Sequence, residues 1–259
     1  MSGFAPPPPQ PIDTGTLVQR AFALYRAQPR LFLLLALVTA LPIGLVTMGI
    51  DLGYGNDDTS TGRTLLAIGL QIVLAVLIAP ISGAATTVAT MDVVDGRVPS
   101  ATRALEIVGE RFWPLVLTLA VATLGVAVGF LALFLPGVYL LVVWLFAGQA
   151  AVIERRPLRD SLLRSAGLVR GGWWRCFATF LLVQVGAGLV SSLLVSPVAR
   201  AADDLSYSSE VIVVGLWRIV VTTVVQPFVL VAIALLYLDR RVRQEGRWPE
   251  APVPHGASG

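Results

Sequence analysis

Between Gly125 and Ile153 the chain carries no ionisable side chain except Tyr139. A helical core in water needs charged stripes facing solvent, and this stretch supplies none. Similar apolar runs cover about residues 31–50, 64–90, 112–135, 138–153, 176–198 and 211–238, and most reach the roughly 20 residues that cross a bilayer as a helix. Composition agrees: 14% of residues are charged and 56% hydrophobic, against roughly 25% charged in a soluble domain. The expected class is all-α, a polytopic membrane protein with six transmembrane helices. Residues 14–246 form the membrane domain, flanked by a proline-rich tail over 1–13 and a second tail over 247–259, both expected to be disordered. No basic region followed by a short apolar core and cleavage site opens the chain, so the first span is expected to act as its own insertion signal.

Three shorter segments differ. Residues 16–28 (TLVQRAFALYRAQ), 100–111 (SATRALEIVGER) and 155–170 place arginines beside apolar side chains at helical spacing, the pattern of interfacial amphipathic helices. Asp13 or Thr14 is placed to cap the first of them. Trp173 and Trp174 follow the third, where an aromatic belt belongs. Every one of the 19 basic residues is arginine. Six spans put both termini on one side, and sixteen arginines fall there, among them Arg20, Arg26, Arg103, Arg155, Arg156, Arg159, Arg164, Arg170, Arg240, Arg241 and Arg243. Only Arg63 and Arg200 fall opposite, with Asp51, Asp57, Asp58, Asp203, Asp204 and Glu210. Positive charge stays inside, so both termini and all three amphipathic segments are expected in the cytoplasm.

Each amphipathic segment is followed by an outward span, a turn and a returning span, which suggests a parallel three-fold repeat of hairpins about the membrane normal. Arg20, Arg103 and Arg164 align without gaps. Asp92, Glu154 and Asp239 each end a returning span and precede arginine. Interface chemistry alone also places such residues at these depths.

The candidate functional residues are few. Arg218 is the one ionisable residue well inside a predicted span, with Glu210, Asp203 or Asp204 as expected partners, unless it snorkels to headgroups. Gln71, Gln184 and Gln226, with Gln149, are able to line a polar path or to hold helices together. The arginines named above are able to meet anionic lipid phosphates or merely to set topology. Catalysis finds little support. His255 is the only histidine, Cys176 the only cysteine, and no acid spacing suggests a metal, so no cofactor or metal is expected. Nucleic acid is not an expected partner, because the arginines are interleaved with Glu106, Glu110, Glu154 and Asp160. Membrane lipids are, together with a membrane-protein partner or a second copy of the chain.

Several motifs carry a family resemblance. These are Arg20-Ala21-Phe22 with Tyr25-Arg26, Pro136-Gly137-Val138-Tyr139, Leu162-Leu163-Arg164-Ser165 through Gly171-Gly172-Trp173-Trp174, and Tyr237-Leu238-Asp239-Arg240-Arg241-Val242-Arg243-Gln244-Glu245-Gly246. Over about residues 16–246 the chain resembles bacterial multi-span proteins related to the membrane domain attached to some glycerophosphoryl diester phosphodiesterases. The resemblance implies a six-helix protein of the bacterial cytoplasmic membrane, without the separate hydrolytic domain. The first functional expectation is a non-enzymatic membrane scaffold or anionic-lipid-binding module. The alternative is a small transporter or lipid-handling protein with a polar path near Arg218, and an intramembrane enzyme comes third.

Overall fold

The computed structural model describes residues 13–53 and 61–246, and every regular element among them is an α-helix. The expectations for the proline-rich tail (1–12), for Asp57 and Asp58, and for the tail from residue 247 lie outside the described residues. Six stretches are long and apolar enough to cross a membrane. They are α2 (Pro29–Gly53), α3 (Thr61–Val94), α5 (Phe112–Ala132), the pair α6 (Phe134–Val143) and α7 (Ala147–Val152), α9 (Trp173–Ala202) and α10 (Tyr207–Glu245). Between them lie the amphipathic helices α1 (Thr14–Ala27), α4 (Ala101–Glu110) and α8 (Leu158–Val169). Leu66, Leu131, Leu135 and Leu193 are each 70% or more exposed. Dozens of large apolar side chains share that outward position, an arrangement water penalises and lipid accepts. The chain is a multi-pass membrane protein.

The short helices start and stop for local reasons. Asp13 caps α1 by accepting from the Gly15 and Thr16 amides at 3.0 and 3.4 Å, and Ser100 caps α4. Leu17 and Ala21 of α1 are fully buried. Tyr25 of α1 donates to the Val224 carbonyl of α10 at 2.9 Å. That carbonyl lies one residue beyond Thr223, whose own helical partner is lost because Pro227 has no N–H.

The fourth span departs from expectation. The apolar run over 138–153 predicts one helix there, and Pro136-Gly137 before it predicts a turn. The chain instead turns at Leu133, which is extended (φ −163°), and Pro136 sits inside the first turn of α6, where a missing N–H costs nothing. Gly129 and Gly137 then meet so closely that a Cβ on Gly129 would lie 3.0 Å from the Gly137 backbone. Beyond Val143 the helix breaks, and α7 begins at Ala147. Ser165 of α8 repairs the break: its hydroxyl donates to the Val143 carbonyl at 2.7 Å and accepts from the Phe146 amide at 3.0 Å. Tyr139, expected near headgroups, stacks on Trp173 at 6.1 Å, which in turn stacks on Phe177 at 5.1 Å.

Packing is uneven along the bundle. Phe32, Leu35, Met91, Phe146, Tyr237 and Leu238 form a closed core at the arginine-rich end. At the opposite end α3 turns outward: Leu65, Leu66 and residues 68–73 are exposed, and farther along Gly83 faces Leu230 of α10. α2 and α10 stay together throughout, because Gly44 receives Ile219 and Gly215 receives Met48. The result is a wedge between α3 and the α2–α10 pair.

Candidate functional site

Two polar assemblies stand out, and they differ in kind. At the arginine-rich end, three carboxylates that close returning spans are almost wholly buried and each gathers arginines. Asp92 binds Arg103 at 2.5 Å and Arg97 at 3.3 Å. Asp239 binds Arg243 at 2.8 Å and Arg175 at 3.3 Å. Glu154 is the hub of the largest group. It accepts from Arg156 and Arg164, each at 2.8 Å, and from the Tyr237 hydroxyl at 2.9 Å, with Arg241 at 3.7 Å. Glu245 closes the ring by pairing with Arg164 and, at 3.1 Å, with Arg241. Burial alone would raise the Glu154 pKa, yet the bonds from Arg156 and Arg164 and the charge of Arg241 hold it below the ordinary carboxylate value.

Most of the arginines able to meet lipid phosphates or to set topology are also engaged within the protein. Arg103, Arg156, Arg164, Arg241 and Arg243 serve internal carboxylates, and Arg155, in a left-handed turn (φ 52°), reaches Glu110 at 3.1 Å. Arg240 is buried and donates to the Leu168 and Arg170 carbonyls at 2.8 and 3.0 Å, while Gln244 donates to Gly167 at 2.7 Å. Together they cap the C-terminus of α8, where unsatisfied carbonyls concentrate negative potential. Arg20, Arg26, Arg159 and Arg170 remain exposed and pair with no carboxylate among the described residues. Arg103 pairs with Asp92 and Arg164 with Glu154, whereas Arg20 pairs with no carboxylate among the described residues.

The second assembly is the wedge itself, a cavity of about 280 Å³ between α2, α3 and α10. From Thr39 to Asp51 its α2 wall covers about 18 Å at 1.5 Å per residue, more than half of a hydrocarbon core. Arg218, Gln226 and Thr222 of α10 line it, facing Thr47 and Asp51 of α2 and Ser82 of α3. Arg218 pairs with none of the expected Glu210, Asp203 or Asp204, nor with Asp51, among the described residues. Ser82 is 3% exposed and its hydroxyl has no hydrogen-bond partner, although most buried serines bond back to their own helix.

The structure brings together two of the four residues expected to share a polar path. Arg218 and Gln226 meet in the groove. Gln71 and Gln184 do not: both are exposed on outer faces of α3 and α9, and Gln149 sits in α7. Helical phase separates them, and a polar residue in a span does not declare its phase by itself. Asp51 and Ser82 were missed, Asp51 because it reads as loop and Ser82 because its small-residue run reads as packing. Their signal was the spacing of Ser82, Thr86 and Thr90, which places three hydroxyls on one face of α3. Among the described residues no group of three or more His, Cys, Asp or Glu is placed to hold a metal ion. The chain matches no protein-family model, no curated protein and no solved structure.

Proposed function

We propose that this chain is a small lipid-handling or transport protein whose working site is the groove between α2, α3 and α10. The observation that carries this reading is Arg218, an exposed arginine that pairs with no carboxylate among the described residues and lines a cavity between three spanning helices. An uncompensated arginine at membrane depth costs about 2.5–3.5 kcal/mol on insertion scales, so a binding partner that neutralises it repays the cost. The orphaned Ser82 hydroxyl on the groove floor supports the same conclusion. The reading is non-enzymatic, since the acids gathered at the other end are consumed by their own arginines.

We further infer that the arginine-rich end is cytoplasmic, in a bacterial inner membrane, with α1, α4 and α8 at the interface. The parallel repeat is proposed on the pairing of Arg103 with Asp92 and of Arg164 with Glu154. Kinship with the membrane module of the phosphodiesterases rests on the sequence motifs alone. Anionic-lipid binding at the exposed Arg20, Arg26, Arg159 and Arg170 is a second reading that these four side chains favour.

Native mass spectrometry of gently extracted protein tests the main reading. Wild type retains a lipid or solute, and Thr222→Trp, which fills the groove without touching the buried ion pairs, loses it. Retention unchanged by Thr222→Trp would place the ligand elsewhere and count against the groove.

A further inference from the structure

The groove carries two charges of opposite sign that do not use each other. Arg218 and Asp51 line the same cavity, and neither forms an ion pair among the described residues. The helix contacts fix their relative depth. Ile219 seats against Gly44 and Gly215 against Met48, so Arg218 lies level with α2 between those two residues. Asp51 is three residues beyond Met48 and seven beyond Gly44, hence about 5–10 Å nearer the opening at 1.5 Å per residue. Tyr207, which donates to the Asp51 carbonyl at 2.7 Å, marks that opening on α10.

Each charge alone would point to a counter-ion, but together they exclude a simple one. An anion on Arg218 enters past the Asp51 carboxylate, and a cation on Asp51 has Arg218 behind it. Across about 5–10 Å, within a Debye length, water and salt weaken both penalties without removing them. A ligand bearing both charges meets neither penalty, provided its anionic end leads.

We propose, on the reading that the groove is the working site, that its ligand is a zwitterion. Its anionic phosphate or carboxylate sits on Arg218, and its ammonium sits on Asp51 nearer the opening. The phosphoethanolamine headgroup of a membrane lipid and a free zwitterionic solute share this chemistry.

The test measures binding to the full chain in detergent micelles with three probes: short-chain phosphatidylethanolamine, short-chain phosphatidylglycerol, which lacks the ammonium, and soluble phosphoethanolamine. Wild type is expected to bind the ethanolamine lipid roughly tenfold more tightly than the glycerol lipid. Asp51→Asn weakens the ethanolamine lipid alone and brings the two within about twofold, whereas Arg218→Gln weakens both by roughly tenfold. Equal binding of the two lipids by wild type, or a preference that survives Asp51→Asn, overturns the zwitterion. Arg218-dependent binding without that preference overturns the zwitterion only, and absence of binding by all three probes overturns the groove reading as well. Competition by phosphoethanolamine at the lipid's own concentration identifies a solute, and lipid binding that it does not displace identifies a lipid. Both of these outcomes uphold the charge pattern.

Discussion

Single side chains hold this protein together where its helices are interrupted or end. Ser165 is the clearest case, because one hydroxyl serves both a carbonyl and an amide left open by the break in span four. Ser165→Ala is expected to cost about 2–3 kcal/mol, the penalty for leaving those backbone groups unsatisfied, read as a lower unfolding temperature in detergent. Glu154 sets an acid limit in the same way. Its folded pKa lies below the ordinary 4.5, so its contribution is complete above that pH and is lost as pH falls through the folded value. Thermal stability should therefore decline below about pH 4.5, and Glu154→Gln should flatten that decline while costing about 3 kcal/mol at neutral pH. The arginine-acid pattern was legible in the sequence at Asp92, Glu154 and Asp239, because each follows an apolar run. Which arginine would answer which acid was not legible, since partners such as Arg164 and Glu245 lie far apart in the chain and meet only through folding.

Helices in this chain are fixed at their ends as much as along their faces. α10 runs 39 residues, about 58 Å, and so outreaches a bilayer of roughly 45 Å with its headgroups. Its last turns carry Arg240 and Gln244 to the end of α8, and Gly246 (φ 66°) closes it by returning its amide to the Val242 carbonyl at 2.9 Å. Gly172 leaves room for this arrangement. A Cβ there would lie 2.3 Å from the Arg240 guanidinium, which two carbonyls hold in place. Gly172→Ala should thus displace Arg240 and lower stability by about 1–2 kcal/mol, whereas Gly109→Ala, with open space at its Cβ, should not. Span number and approximate limits could be read from hydropathy. The break after Val143 could not, because Trp144, Leu145 and Phe146 are as apolar as a continuous helix would be, and only a serine nineteen residues later marks it.

At the scale of the whole molecule, charge and packing divide the bundle into a closed, arginine-rich end and an open end holding the groove. The proposed orientation predicts that a membrane-impermeant thiol reagent labels Asp204→Cys in intact cells and labels Arg159→Cys only after permeabilisation. The reverse pattern would invert the protein. The groove tests the account most directly, through two glutamines at one depth. Trp217 of α10 donates to the Leu194 carbonyl of α9 at 2.8 Å, and since these helices are antiparallel, Gln226 and Gln184 lie nearly level. Both side chains are exposed, but Gln226 lines the groove and Gln184 does not. Thiolates form in water and not in hydrocarbon. A charged methanethiosulfonate reagent should modify Gln226→Cys and leave Gln184→Cys untouched. Silence at both positions, or faster reaction at Gln184→Cys, would contradict a water-filled groove between α2, α3 and α10.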